Sequence, residues 1–261
     1  MQKVRLSVIL IHMQKTDEKK EEADTRQNDH VGQALIEKMF KVGAHYGYSK
    51  TRRHPSLAKY IYATKNKGDI IDLEKTREML DNAAKFMKKL GKEGRVVLFV
   101  GTKPEAKDIT KNAALSLNMP YVTERWIGGT LSNFTEIKKR INELENYQKE
   151  SKEGGLEKYT KKERVVMAKK MEKLARYYTG LLGLKKTPDA LFIIDAKSEH
   201  IASTEAKKRD VPIVSLMNSD SNIKGIEYPI IGNDSSLLSI KFFTAYLADI
   251  YREGEKSIPA K

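Results

Sequence analysis

Hydrophobic residues along this chain fall into short solid runs separated by longer stretches of helical periodicity. Val96 to Val100, "VVLFV", is apolar throughout, as a strand buried on both faces requires. "YV" at 121–122 predicts a second strand, "ALFIID" at 190–195 a third, "PIVSL" at 212–216 a fourth and "YPII" at 228–231 a fifth, weaker one. Helical spacing fills the gaps. One helix runs over about 73–90, before the first strand, and "KPEAKDITKNAALSL" forms another after it. A third begins near Ser198, and a last one runs from about Ser235 to Tyr251, capped by Asp234 or Ser235. Upstream, "ALIEKMFKVG" has apolar residues at helical spacing, with Gly43 as a stop. Strands alternating with helices predict right-handed crossovers and a parallel sheet with helices on both faces.

Some 65 residues between the second and third strands carry no strand signal. Phe134, Ile137, Ile141 and Leu144 step by 3, 4 and 3, and Met167, Met171, Leu174, Tyr178 and Leu181 by 4, 3, 4 and 3. Such narrow stripes are coiled-coil seams. "SKEGGLEKY" supplies a glycine turn between them, and Thr160 with Glu163 forms a capping box for the second helix. An antiparallel coiled-coil α-hairpin projecting from the sheet domain is therefore expected. Residues 13–30 are almost entirely polar and cannot build a core. The expected organisation is an N-terminal extension (1–33), an α/β domain (34–131 and 182–254), the hairpin insertion (132–181) and a tail (255–261).

The charge adds a partner class. With 49 Lys+Arg against 35 Asp+Glu, the net charge is +14, which is the footprint of a polyanion binder. The absence of cysteine excludes disulfides, thiolate catalysis and Cys-based zinc sites. No run approaches the ~18 apolar residues of a membrane span. Val8 to Ile11 is too short for a signal segment, so a cytosolic protein is expected.

Chemistry in a parallel sheet belongs in the loops after the strands. Here "GTKPE", "RWIGGT", "DAKSE", "NSDSN" and "GND" carry no G-x-G-x-x-G, Walker motif, H-E-x-x-H pair or nucleophile setting. Asp195 reads as a helix cap more readily than as a catalytic carboxylate. "ERWIGGTLSNF" holds the only tryptophan, Trp126, beside Gly128 and Gly129, a pair that could cradle a phosphate. Residues 43–76 form a richer cluster. His45, Lys50, Arg52, Arg53, Lys65, Asn66 and Lys67 sit among tyrosines in a segment expected to be a loop. Cations there would contact phosphates, and aromatics could stack on RNA bases. Each single tyrosine is expected to turn into the core.

"KVGAHYGYSKTRRHP", "ATKNKGDIIDLEKT", "VLFVGTKPEA", "ERWIGGTLSNF", "YTKKE", "PDALFIIDAKSEHIASTEAKKRDVPIV" and "IIGND" occur in this order. Together they resemble the small-subunit ribosomal protein "S two" family in its bacterial or organellar form, from about Ala34 to Gly254. The resemblance implies a flavodoxin-like (Rossmann-like) sheet of about five strands, a coiled-coil hairpin, and a non-catalytic protein in the small subunit. It implies binding to ribosomal RNA and help in seating neighbouring ribosomal proteins, among them protein "one", with no cofactor, membrane or small-molecule substrate. RNA candidates are the seven residues named above together with Lys103 and Arg125. Lys138, Arg140, Lys169 and Lys173 are the hairpin's candidates for a protein partner. Trp126, Gly128 and Gly129 become structural, the glycines permitting a tight passage into the hairpin and the indole N–H meeting a carbonyl. Acidic residues around Asp195 and Asp220 are where an ion would sit in relatives; no metal is expected in this chain. Tyr48 stands where the family pattern has a second histidine, and "MNSDSN" replaces "TNSDP". The competing readings are a phosphate- or nucleotide-handling enzyme using Lys103, Asp195 and the Gly128-Gly129 loop, and a coiled-coil adaptor.

Overall fold

The computed structural model describes residues 32–257. Most of the expected N-terminal extension, and the end of the expected tail, lie outside the described residues. A helix, α1, covers residues 32–41, and Gly43 follows it at φ 72°, a left-handed turn that favours glycine.

The main sheet is parallel, with strands β4 (Val97–Val100), β5 (Tyr121–Val122), β6 (Ala190–Ile194), β7 (Ile213–Met217) and β8 (Tyr228–Ile231) in the spatial order β5-β4-β6-β7-β8. That is the flavodoxin-like order, and the strand order reverses between β4 and β6. Alternate residues feed two cores. Phe99, Phe192, Leu216 and Ile230 meet α2 (Leu73–Lys92), α3 (Pro104–Ser116) and α7 (Leu237–Lys256). Leu98, Leu191, Ile193 and Met217 meet Ala202 and Ala206 of α6 (His200–Lys208) and the root of the insertion.

In α2 the Asp72 side chain caps the helix by accepting from the Glu74 N–H at 3.1 Å. Thr76, Leu80, Ala83, Met87 and Leu90, at steps of 3 or 4, are buried. Full burial of Leu80 or Met87 is worth about 1.5–3 kcal/mol each. α2 and α7 cross at two glycines. A Cβ at Gly91 would overlap the Tyr251 carbonyl oxygen, and one at Gly254 the Lys88 carbonyl oxygen. The Tyr251 hydroxyl also donates to the Arg95 carbonyl at 2.8 Å. α7 therefore continues to Lys256, beyond the expected end near Tyr251. Its cap also differs from expectation. The N-cap is Ser236, whose side chain makes no capping bond; the Asn233 side chain orders the turn before it, accepting from the N–H groups of Ser235 and Ser236 at 3.0 and 3.2 Å, while Asp234 is engaged elsewhere.

Residues 43–71 are not a loop. β1 (Tyr46–Ser49), β2 (Ile61–Lys65) and β3 (Gly68–Ile71) form a second, antiparallel sheet in the order β1-β3-β2. Asn66 and Lys67, at φ 51° and 65°, make the two-residue turn between β2 and β3. This sheet lies over the carboxyl ends of the parallel strands: the Tyr48 N–H donates to the Ser219 hydroxyl at 2.9 Å, and the His54 N–H to the Ser219 carbonyl at 2.9 Å.

Between β5 and β6 stand α4 (Phe134–Lys152) and α5 (Lys161–Tyr178), joined through Gly154 at φ 75°. Lys158 pairs with Glu150 at 3.6 Å, and Lys170 pairs with Glu143, so the second helix runs back along the first. The Thr160–Glu163 capping box is formed. Ile137, Ile141, Leu144, Met171 and Tyr178 are buried, and they belong to the same apolar cluster as Leu98, Trp126 and Leu191. The helix pair is thus continuous with the sheet core at its root. Apolar burial thins toward the turn, where Val165 and Val166 are exposed.

Candidate nucleic-acid interface

The crevice where this strand order places a ligand lies beyond β4 and β6. Lys103 and Asp195 enter it from those two strands. The Lys103 ammonium is 2.6 Å from Asp195 Oδ2 and 2.9 Å from Asp234 Oδ2. Burial works against its charge, but the Asp234 and Asp195 carboxylates outweigh burial and hold the ammonium well above the ordinary lysine value. Burial pushes Asp195 up, yet Lys103 and the Ser198 hydroxyl at 2.6 Å bring it below the carboxylate norm. Asp234 is fully enclosed, and burial keeps it above that norm despite Lys103. The Asn218 amide donates to Asp234 at 3.2 Å, and the Ser235 hydroxyl links Asp234 at 3.2 Å to the Tyr48 hydroxyl at 2.6 Å. An internal lysine and the overlying small sheet thus fill the crevice. Lys103, offered as an RNA contact, is committed to this triad. Asp195 does not cap α6, whose N-cap is Glu199; it closes the turn before that helix, accepting from the Lys197 and Ser198 N–H groups at 3.1 and 3.2 Å. Asp220 faces the Lys197 ammonium at 2.7 Å.

The Gly128-Gly129 segment does form an anion cradle. Its N–H groups at Gly129, Leu131 and Ser132 converge at 2.6, 3.0 and 3.2 Å on one carboxylate, that of Glu205 on α6. Burial pushes Glu205 up, and the three N–H groups more than offset it, leaving the carboxyl below its ordinary value. The chain's own glutamate occupies the place a phosphate would take. Gly129 sits at φ 97°, a conformation that favours glycine. Trp126 is buried at the hairpin root, but its indole N–H meets no carbonyl among the described residues. Arg125 is exposed.

Free cations gather on the small sheet. Lys50, Arg52, Lys65 and Lys67 are exposed, and the Lys50 N–H donates to the Lys67 carbonyl at 3.0 Å, drawing the two segments together. Asn66 and Lys67 form the hairpin tip. Arg53 is different: its Nε donates to Asp69 Oδ2 at 2.6 Å, and its Nη2 donates to Asp69 Oδ1 and to the Thr64 hydroxyl. His45 is buried between the rings of Phe40 and Tyr46, with centroids at 4.4 and 4.1 Å, and burial holds its imidazole below the ordinary histidine value. A base therefore cannot reach its ring faces without displacing those neighbours. Two of the tyrosines reverse expectation, since Tyr46 and Tyr62 are exposed, Tyr62 by 78%, whereas Tyr60 packs partly buried against the core. On the helix pair, Lys169 and Lys173 are exposed, Arg140 pairs with Glu143 at 3.2 Å, and Lys138 reaches the Lys185 carbonyl at 3.4 Å.

Sequence reasoning missed Glu205 and Asp69, and gave Asp234 only a capping role. Glu205 and Asp234 act on partners far along the chain, 131 positions away for Lys103 and Asp234, whereas Asp69 acts on Arg53 only 16 positions away. The signal for the small sheet was slight: the two turn positions are Asn66 and Lys67, and the glycine of a usual hairpin turn is displaced to Gly68, the first residue of β3.

The family model for ribosomal protein S2 matches residues 39–254. The chain belongs to the ribosomal protein S2 family. Curated relatives agree. The small ribosomal subunit protein uS2 of Salinibacter ruber is 37% identical over 219 residues, covering 84% of this chain and 68% of the relative. That of Dictyoglomus thermophilum is 38% identical over 221 residues, covering 85% and 90%. The match to the ribosomal S2 family spans the small sheet, the filled crevice, the Glu205 cradle and the helix pair together.

Proposed function

We propose that this chain is a structural constituent of the small ribosomal subunit and is not an enzyme. The observation that carries this reading is the ribosomal S2 match across residues 39–254. The Lys103 triad and Glu205 support it from chemistry, since they occupy the two places where an α/β enzyme would hold a phosphate or nucleotide. No helix among the described residues is long and apolar enough to cross a membrane. The protein associates with small-subunit ribosomal RNA and with neighbouring ribosomal proteins. In finer detail, the cations of the β1-β3-β2 sheet, with Arg125, contact the RNA backbone. The exposed lysines of α5, Lys169 and Lys173, face a protein partner, and protein "one" is the partner we assign.

Sedimentation tests this directly. Affinity-tagged chain expressed in its own host should comigrate with 30S particles through a sucrose gradient and survive a moderate salt wash. A chain that stays at the top of the gradient would defeat the ribosomal reading. Particles that lack the α4–α5 pair yet keep protein "one" would defeat its assignment.

A further inference from the structure

The centre of the cationic sheet holds a guanidinium that is already paired. Asp69 is buried, with its side chain fully enclosed, while the Arg53 side chain keeps 20% of its surface. Two Arg53 nitrogens, Nε and Nη2, grip the two carboxylate oxygens side by side. Thr64, directly across from Asp69 in the β2–β3 register, closes the fork. Its hydroxyl accepts from Nη2 at 2.7 Å and donates to Asp69 at 3.0 Å. Nη1 makes no hydrogen bond among the described residues, and it is not among their enclosed polar atoms either. Nη1 is therefore unpaired and keeps some of the side chain's remaining access to solvent. Around it the backbone gathers Lys50, one turn before Arg53, and Lys67, whose carbonyl holds the Lys50 N–H.

Charge count alone makes this arrangement odd for a polyanion binder, because Asp69 cancels a positive charge in the middle of a positive strip. Geometry resolves it. Arginine recognises phosphate through N–H groups in a fixed plane, and a free side chain on an exposed sheet must be ordered when it binds. A buried carboxylate that fixes Nε and Nη2 leaves Nη1 as a preset donor.

We propose that Asp69 is a positioning residue for RNA-backbone recognition: with Thr64 it locks the Arg53 guanidinium so that Nη1 is presented, among Lys50, Arg52, Lys65 and Lys67, to a phosphate of the RNA. The proposal rests on the RNA-binding reading above. It makes Arg53 a directional contact, and it makes the surrounding lysines the source of long-range attraction.

Asp69→Asn separates position from charge. The change keeps the shape of the side chain and adds one net positive charge. If attraction alone mattered, the variant would bind RNA more tightly. Positioning predicts the reverse, a loss of about two- to tenfold, the cost of ordering one long side chain on binding. The measurement is filter binding of full-length protein to in vitro transcribed small-subunit ribosomal RNA across a salt series, well below each variant's melting temperature. Arg53→Lys, which keeps the charge but not the fork, should lose a similar factor with the salt slope unchanged. Thr64→Ala, at an exposed position, should lose a smaller factor and guards against a folding artefact. Lys50→Gln should instead flatten the slope by about 0.7–0.9. Tighter or unchanged binding by Asp69→Asn, or unchanged affinity in Arg53→Lys, overturns the proposal and leaves the pair a structural staple. Wild-type protein that fails to bind the RNA overturns the parent reading, a result distinct from either.

Discussion

Replacing Glu205 by alanine should unseat the segment that joins the sheet to the helix pair. Three backbone N–H groups, at Gly129, Leu131 and Ser132, lose their acceptor. Leu131 is 1% exposed, so its N–H finds no water and costs about 1.5–3 kcal/mol once unpaired from a charge. The other two lie nearer solvent, and water recovers most of their bonding, leaving about 0.5 kcal/mol each. The total is about 3 kcal/mol, or roughly 6–12 °C in melting temperature for a domain of this size. Glu205→Gln keeps an oxygen acceptor without the charge and should lose about half as much. Urea unfolding followed by Trp126 fluorescence and far-UV circular dichroism measures both. The pH dependence has a defined sign. The folded carboxyl sits below its ordinary value, so its stabilisation is present above the unfolded value near ~4.3 and fades as pH falls through the folded one. The Gln variant should therefore lose less stability on acidification than wild type. A loss under about 1 kcal/mol for Glu205→Ala, seen by both probes, would show that the cradle is satisfied without the glutamate and would refute the reasoning.

Lys103→Met should cost about 3–5 kcal/mol at neutral pH, because two enclosed carboxylates lose their common cation, and urea titration should show the deficit shrinking as acid protonates them. Replacing residues 134–178 by a short Gly-Ser linker should leave a cooperatively unfolding α/β domain of lowered stability, since Ile137 and Ile141 complete the core at the root; a molten domain by near-UV circular dichroism would mean that the helix pair is part of the main core. The combined Lys50, Arg52 and Lys67 to Gln variant should flatten the salt slope of RNA binding by about two to three units, and an unchanged slope would move the RNA surface elsewhere.

The parallel sheet was legible because its strands are buried on both faces and read as unbroken apolar runs. "VVLFV" has no other economical reading between two helices. The small sheet was not legible, because β2 is exposed along nearly its whole length and shows no alternation of apolar and polar residues. Its turn also uses Asn66 and Lys67 in left-handed conformations, without glycine at either position. Charge was legible in sum but not in detail. The sequence counts Arg53 and Lys103 as two cations like any others, whereas folding gives each a carboxylate from another element. Asp195 was readable as a local backbone acceptor from its place after a strand, but the turn it closes ends before α6 begins. Its second role, facing Lys103, depended on the order in which the strands pack.

The glycine crossing of α2 and α7 has a temporal consequence. Gly91 is shaped to receive the backbone at Tyr251, and the Tyr251 hydroxyl closes on Arg95, 156 positions earlier in the chain. During synthesis from the N-terminal end, α2 and β4 emerge long before their partner helix exists. The apolar face of α2 must wait, covered at most by α1 and the first strands, until α7 has been translated. A chain truncated before α7 should therefore collect chaperones on that face, and the last helix made is the one that completes the domain.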